Sequence, residues 1–215
     1  MKITILGGSG LIGMHLIKQA CADHYFTKIN VIVRRPLATK DPKINELVIN
    51  FDDLSSVIER TIGDALICTL GTTKKKTPDK NCYRKIDLTY TLISAKGALE
   101  NGHKQVHLVS SIGANEKSSV FYPALKGEIE RLISDLSFES TFIYRPSILI
   151  GKRETARPLE WLSQRIFYVI NPLLIGALKK YRSISGEQVA KKIINELKKN
   201  KVGKYYFESN ELETP

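Results

Sequence analysis

Cysteine is scarce: the 215-residue chain has three, Cys21, Cys68 and Cys82. An odd number with no C-x-x-C pair argues against a disulfide scaffold and for a reducing compartment. None of the three has metal-like spacing to His15, His24, His103 or His107, which argues against a zinc site. Long hydrophobic runs are missing too. The longest apolar stretch, residues 166–178, is broken by Asn171-Pro172 and falls short of the ~20 residues that span a bilayer. No signal sequence stands before the first structural element, because Met1-Lys2 runs straight into Ile3-Thr4-Ile5-Leu6. A soluble, cytoplasmic protein is the expectation. There is no Pro/Gly/Ser-rich linker, internal repeat or low-complexity tract. One domain over residues 1–215 is therefore expected, with 151–183 contributing a cap on the substrate side. Gly7-Gly8-Ser9-Gly10-Leu11 does not complete G-x-S-x-G, so a serine hydrolase of the usual form is excluded.

The composition that is present, 42% apolar and 26% charged, is that of an ordinary globular protein and excludes collagen-like or largely disordered chains. Thirty-three basic against 22 acidic residues leave a net charge of +11, which attracts phosphates, anionic substrates or nucleic acid without choosing among them. Apolar, β-rich runs at 3–6, 29–33, 47–51, 65–70, 106–109 and 141–144 alternate with helical patterns at 11–21, 54–62, 83–100 and 122–136. Most runs are almost continuously apolar, as strands buried on both faces should be. Leu125, Ile129, Leu132 and Leu136 mark one buried helical face. The alternation predicts an α/β, Rossmann-like doubly wound parallel sheet in the strand order 3-2-1-4-5-6. Further on, 187–199 carries Val189, Ile193, Ile194 and Leu197 on one helical face, and 205–208 is a candidate final strand.

Gly7-Gly8-Ser9-Gly10-Leu11-Ile12-Gly13 follows the first strand and opens the first helix. A side chain at Gly7 would obstruct the tight turn, one at Gly10 would hold a pyrophosphate off the backbone, and one at Gly13 would push the helix from the sheet. The free amides of Ser9 to Gly13 would then face the anion. A partner for NAD is missing at the end of the second strand, where an acidic residue would accept the ribose hydroxyls. Arg34-Arg35 stand there instead, and two guanidiniums suit a 2′-phosphate. NADP(H) is therefore expected over NAD(H). Asp52, Asp53 and Leu54, after the third strand, are candidates for reaching the adenine. Leu70, Gly71 and Thr72, after the fourth, are candidates for passing under the cofactor.

Val109, Ser110 and Ser111 end the fifth strand, and Tyr122-Pro123-Ala124-Leu125-Lys126 opens the next helix. Tyr and Lys four apart share a helical face, so an ammonium can approach the phenol. A phenol with a pKa near 10 needs a nearby cation to exchange protons near neutrality. Tyr122 could then trade a proton with a carbonyl or alcohol oxygen that Ser111 holds. Pro123 biases Tyr122 towards the helix start rather than the interior of the first turn.

These residues resemble the short-chain dehydrogenase/reductases in their atypical or extended branch. The matching elements are the glycine turn, Leu108-Val109-Ser110-Ser111, Tyr122 with Lys126, and Arg145-Pro146-Ser147. Cys68-Thr69-Leu70-Gly71-Thr72-Thr73, Lys126-Gly127-Glu128-Ile129-Glu130 and Arg157-Pro158-Leu159-Glu160-Trp161-Leu162 look like the Tat-interacting-protein-like oxidoreductases. The resemblance implies a Rossmann fold, NADP(H) binding, and a Ser111/Tyr122/Lys126 set shared between catalysis and cofactor. It also implies Pro146, Ser147 and Ile148 beside the nicotinamide.

An NADP(H)-dependent reductase of a small carbonyl substrate is the reading these motifs favour. A dinucleotide-binding regulator of protein association, with little turnover, is the alternative. Lys74-Lys75-Lys76 reads first as a solvated loop and second as a phosphate contact. The basic cluster Lys191, Lys192, Lys198, Lys199, Lys201 and Lys204 lacks interleaved aromatics, so no nucleic-acid partner is expected. The apolar 161–178 stretch is assigned to core and substrate pocket. A homodimer is allowed by the sequence but not required by it.

Overall fold

A computed structural model describes residues 1–151, 174 and 176–213. Seven strands form one parallel sheet: β1 (Lys2–Leu6), β2 (Lys28–Val33), β3 (Ile44–Val48), β4 (Ala65–Cys68), β5 (Gln105–Val109), β6 (Ser140–Arg145) and β9 (Gly203–Glu208). Their order is 3-2-1-4-5-6-9, the expected order extended by the final strand. A separate short pair joins β7 (Leu149–Ile150) to β8 (Ile184–Ser185). One rung of the sheet aligns the loops that carry the candidate functional residues. Ile32, Leu6, Cys68, Leu108 and Ile143 are register partners across β2, β1, β4, β5 and β6. Every loop with a candidate function therefore leaves the sheet within two residues of the same line.

Side chains alternate across the strands, and each face buries its own core. Ile3, Ile5, Val31, Ile67, Phe142 and Tyr144 pack against α1 (Leu11–Ala22) and α6 (Gly186–Leu197). Leu6, Ile32, Leu66, Val106 and Ile143 pack on the other face against α2 (Leu54–Ile58), α4 (Tyr90–Glu100) and α5 (Phe121–Ser134). Just before α4 lie α3 (Lys80–Arg84) and a π-helical turn, Lys85–Thr89. The chain ends with α7 (Ser209–Leu212) after β9. Val189, Ile193, Ile194 and Leu197 are buried as the helical pattern requires. On α5, Leu125, Ile129 and Ile133 are fully buried, while Leu132 and, just past the helix end, Leu136 pack at the margin.

The third strand departs from its expected place. It spans Ile44–Val48 rather than 47–51, and Phe51 begins a 3-10 turn. This strand lies at a sheet edge and exposes Asn45 and Glu46, so the rule that buried strands are continuously apolar does not find it. β4 stops at Cys68, because Thr69 turns to donate its hydroxyl to the carbonyls of Leu6 (3.0 Å) and Gly7 (3.1 Å). Most of the 151–183 segment lies outside the described residues. Among those described, no helix is long and apolar enough to cross a membrane.

His107 sits in the middle of this sheet, stacked on Phe142 at 4.4 Å with its Nδ1 2.8 Å from the Tyr144 hydroxyl. Burial pushes its pKa down to about 3, against 6.5 when free. The unfolded chain therefore binds one more proton than the folded chain between pH 6.5 and about 3. This contribution to stability is complete above pH 6.5 and is lost as pH falls through that window, at about 1.4 kcal/mol per pH unit. Denaturant titrations at stepped pH should show this decline below pH 6.5 and a shallower one in His107→Gln. Equal slopes in the two proteins would refute the assignment.

Candidate functional site

The glycine turn leaves β1 at the Leu6 rung. Gly7 has a φ of +90°, and a Cβ there would lie 2.9 Å from the Leu70 amide nitrogen. Gly8, not singled out by the sequence, brings the turn against β2: a Cβ on it would lie 2.3 Å from Val31 Cγ1. Gly13 packs on the turn itself, with a Cβ only 2.4 Å from the Gly7 carbonyl. The backbone that a Gly13 side chain would meet is therefore that of the turn, where the expectation named the sheet. A Cβ at Gly10 would meet only the Gly7 carbonyl, at 3.2 Å, so its outer side is open. Gly10 caps α1 without a side-chain bond, and the first turn holds no acidic residue. The amides at this helix start, including those of Leu11, Ile12 and Gly13, have the polarity and the clearance that a diphosphate needs. Ser9 is exposed beside them, whereas the side chains of Leu11 and Ile12 are buried, so only their backbone could serve.

Arg34 and Arg35 are exposed directly after β2 and form no ion pair among the described residues. Arg34 lies over the Phe51 ring, 5.7 Å from its centroid. Asp53 is exposed at the head of α2. Leu54 is fully buried in the apolar core, so its side chain cannot line an adenine site, which corrects that expectation. Its neighbour Asp52 is bonded to Lys85 (2.6 Å) and to the Tyr90 hydroxyl (2.8 Å). After β4, Leu70 is half-buried and Gly71 is exposed. The Thr72 amide donates to Asp87 Oδ1 at 2.8 Å, and the Thr72 carbonyl accepts from the Tyr83 hydroxyl at 3.0 Å.

β5 ends at Val109, and the Ser110 amide donates to the Tyr144 carbonyl at 2.7 Å. The hydroxyls of Ser110 and Ser111 are both buried without a partner. Such orphaned groups are costly unless something else satisfies them. Helix α5 starts at Phe121, which puts Tyr122 inside its first turn and corrects the expectation drawn from Pro123. Proline is tolerated there because amides of the first turn have no helical partner. Tyr122 is 40% exposed, while Lys126, one turn on, is buried with its Nζ 5.8 Å from the Tyr122 ring centroid. The nearer partner of that ammonium is Asp87, whose Oδ2 lies 2.9 Å away, close enough for an ion pair though outside hydrogen-bond angles. Burial works to lower the Lys126 pKa. The charges of Asp87, Tyr122 and Glu130 outweigh it and hold the ammonium above the ordinary lysine range.

Asp87 is not apparent from sequence patterning, although it falls four residues after Tyr83 and four before Thr91 on a face that becomes buried. Gly127 appears in the sequence only as part of a motif, and the structure explains it. The loop after Ser111 folds down along α5, with the Asn115 amide on the Pro123 carbonyl (3.0 Å) and Glu116 paired to Arg131 (2.7 Å). It crosses the helix where Gly127 has no side chain: a Cβ there would lie 2.1 Å from the Glu116 nitrogen. After β6, Arg145 pairs with Glu130 (2.6 Å) and Glu208 (3.2 Å). The Pro146 carbonyl accepts from the Ile112 amide at 2.9 Å, the Ser147 hydroxyl is bonded to the Arg182 carbonyl, and Ile148 is exposed. The Arg157 to Leu162 motif lies outside the described residues, as does most of the 161–178 stretch.

The basic residues divide into two kinds. Glu196 gathers Lys192 (3.5 Å), Lys199 (2.8 Å) and Lys201 (2.9 Å), and Lys198 pairs with Asp23. Much of the C-terminal cluster is thus engaged within the fold. Lys74, Lys75 and Lys76 are exposed in the loop beyond Thr72. Among the described residues no group of three or more His, Cys, Asp and Glu side chains could hold a metal ion.

No family model matches the chain. The chain is 34% identical over 170 residues to protein HTATIP2 of Rattus norvegicus, covering 77% of this chain and 70% of that protein. It is 33% identical over 182 residues to protein FMP52-1 of Scheffersomyces stipitis, covering 83% and 76%. The FMP52 proteins of Scheffersomyces stipitis, Debaryomyces hansenii and Candida albicans are named as mitochondrial, and this overturns the expected cytoplasmic location. Three free thiols argue only against an oxidising compartment and do not choose among reducing ones. Among solved structures, MoeE5 in complex with UDP-glucuronic acid and NAD matches with a TM-score of 0.72 at 15% identity, over 96% of this chain and 75% of that one. The human epimerase family protein SDR39U1 with NADPH matches with a TM-score of 0.67 at 16% identity, over 97% and 74%. The fold is the NAD(P)-binding, oxidoreductase-like Rossmann fold of the short-chain dehydrogenase/reductases.

Gly127→Ala should force the 113–118 loop off α5, since the atoms in the way are backbone. Overpacking of this kind costs about 1–3 kcal/mol. The variant's melting temperature should fall by at least about 2 °C. An unchanged melting curve would refute the close approach.

Proposed function

The chain belongs to the atypical short-chain dehydrogenase/reductase family of HTATIP2 and FMP52, and from that premise we propose that it is an NADP(H)-dependent reductase of a small carbonyl compound. The observation that carries this reading is a buried lysine ammonium over an exposed phenol, on the helix that follows two orphaned serine hydroxyls at the end of β5. The amides of Gly7 to Gly13, with the hydroxyl of Ser9, would hold the diphosphate. Leu70, Gly71, Thr72, Val109, Ser110, Pro146 and Ile148 leave the same sheet edge and would border the rest of the cofactor. Arg34 and Arg35 would take the 2′-phosphate, because they are exposed and, among the described residues, free of carboxylate partners where an NAD site needs an acid.

When bound, NADPH supplies the hydride that reduces the carbonyl carbon. Ser111 donates a hydrogen bond to the carbonyl oxygen and fixes it beside Tyr122. Tyr122 gives its phenolic proton to that oxygen as it becomes an alcohol, and regains a proton from solvent. Lys126 stabilises the phenolate that this transfer leaves behind.

Two measurements test the proposal. A panel of aldehydes and ketones followed by NADPH absorbance should give at least one substrate, and Tyr122→Phe should lose at least about 100-fold in kcat with NADPH affinity retained. Turnover surviving in Tyr122→Phe would remove Tyr122 from the chemistry. NADPH binding with no oxidation by any carbonyl would favour the dinucleotide-binding regulator instead. In the second measurement, calorimetric titration of Arg34→Ala/Arg35→Ala should show NADP affinity falling at least about tenfold more than NAD affinity. Equal losses would count against 2′-phosphate recognition.

A further inference from the structure

Lys126 and the Gly71-Thr72 loop approach the site from different sides of the fold, one on α5 and the other after β4. A single carboxylate reaches both. Asp87 is 1% exposed, with Oδ1 on the Thr72 amide and Oδ2 against Lys126 Nζ. It lies in the π-helical turn Lys85–Thr89, inside an otherwise α-helical run from Lys80 to Glu100. Such a turn adds a residue to the helix and re-aims the side chains around it, a distortion that recurs at functional sites.

We propose that Asp87 is a positioning residue of this site, the counter-charge that seats the Lys126 ammonium beneath Tyr122 and ties it to the Gly71-Thr72 loop. The inference rests on the reductase reading for the roles of Lys126 and Tyr122, but its charge balance does not. Glu130 lies one turn from Lys126 on α5, yet its carboxylate is bonded to Arg145 (2.6 Å). Tyr83, from α3, donates its hydroxyl to the Thr72 carbonyl, and burial holds that phenol protonated. The groups facing Lys126 are therefore Asp87 from the π turn, and Tyr122 and Glu130 from its own helix. Of these, Asp87 is the carboxylate in ion-pair contact. An ammonium this deeply buried and left without a counter-charge either sheds its proton or bears an uncompensated desolvation penalty.

Asp87→Asn isolates the charge, because its amide oxygen can still accept from the Thr72 amide. Without the carboxylate, the buried Lys126 ammonium loses its counter-charge and sheds its proton at lower pH. That brings the alkaline limb of the reductase kcat–pH profile to lower pH, by at least about one unit. Asp87→Glu retains the charge and should leave the limb near its wild-type pH with a lower plateau. A second arm needs no turnover. The melting temperature of Asp87→Asn should fall more at pH 6 than at pH 10, and the pH difference should vanish in a Lys126→Met background. An unmoved limb in Asp87→Asn, or a loss of melting temperature equal at the two pH values, would overturn the proposal. If the wild type reduced no carbonyl, the reductase reading would fail while the melting arm would still decide the charge role of Asp87.

Discussion

The register of the parallel sheet is the constraint on which the rest of the molecule depends. Ile32, Leu6, Cys68, Leu108 and Ile143 form one rung whose side chains all enter the same core. A slip of one residue in any of these strands would turn its apolar set to the wrong face. With the rung fixed, β1 and β4 leave the sheet directly after it at Gly7 and Thr69, and β5 and β6 one and two residues later at Ser110 and Pro146. Thr69 then closes the gap by donating to the carbonyls on either side of the β1 exit. Hydrophobic packing thus sets the positions of residues that contribute little to packing themselves.

The same packing explains which parts of the chain are legible from sequence. β1, β2, β4, β5 and β6 are buried on both faces, so continuous apolar character marks them, and the strand order follows from their alternation with helices. For β3 the same criterion points three residues too late, because an edge strand carries Asn45 and Glu46 where a central one would carry valine or isoleucine. On α5 the spacing of leucines suggests Leu132 and Leu136, but the helix ends at Ser134 and its last buried turn is completed by Ile133. The glycine turn is legible as a motif. The division of labour within it is not, because what Gly8 and Gly13 avoid are Val31 and the turn backbone, contacts made only after folding.

Asp87 is illegible for a similar reason. Its meaning depends on a π turn that breaks helical periodicity and on two partners 15 and 39 positions away in the chain. The net charge shows the same limit of composition. An excess of +11 suggests a broadly attractive surface, yet Glu196 alone neutralises part of a four-lysine neighbourhood on α6 and the chain after it. Among the described residues, Arg34, Arg35 and Lys74 to Lys76 form no ion pair with a carboxylate and stand on loops at the carboxyl edge of the sheet. Their position, rather than their number, is what makes an anionic ligand at that edge reasonable.

Two buried ionisable groups, His107 and Lys126, show how the fold separates structure from chemistry. Both are almost completely shielded from water. His107 meets rings, a neutral hydroxyl and the Gln105 amide, and burial outweighs the opposing charge of Glu196, so the imidazole stays uncharged. Lys126 meets a carboxylate, so the charge survives the same loss of solvent. A charge kept at that cost inside an apolar core must be compensated locally, and the compensating group here is itself held by a loop amide. The sheet interior therefore holds a neutral, stacked histidine that serves packing. The carboxyl edge holds a paired charge beside an exposed phenol.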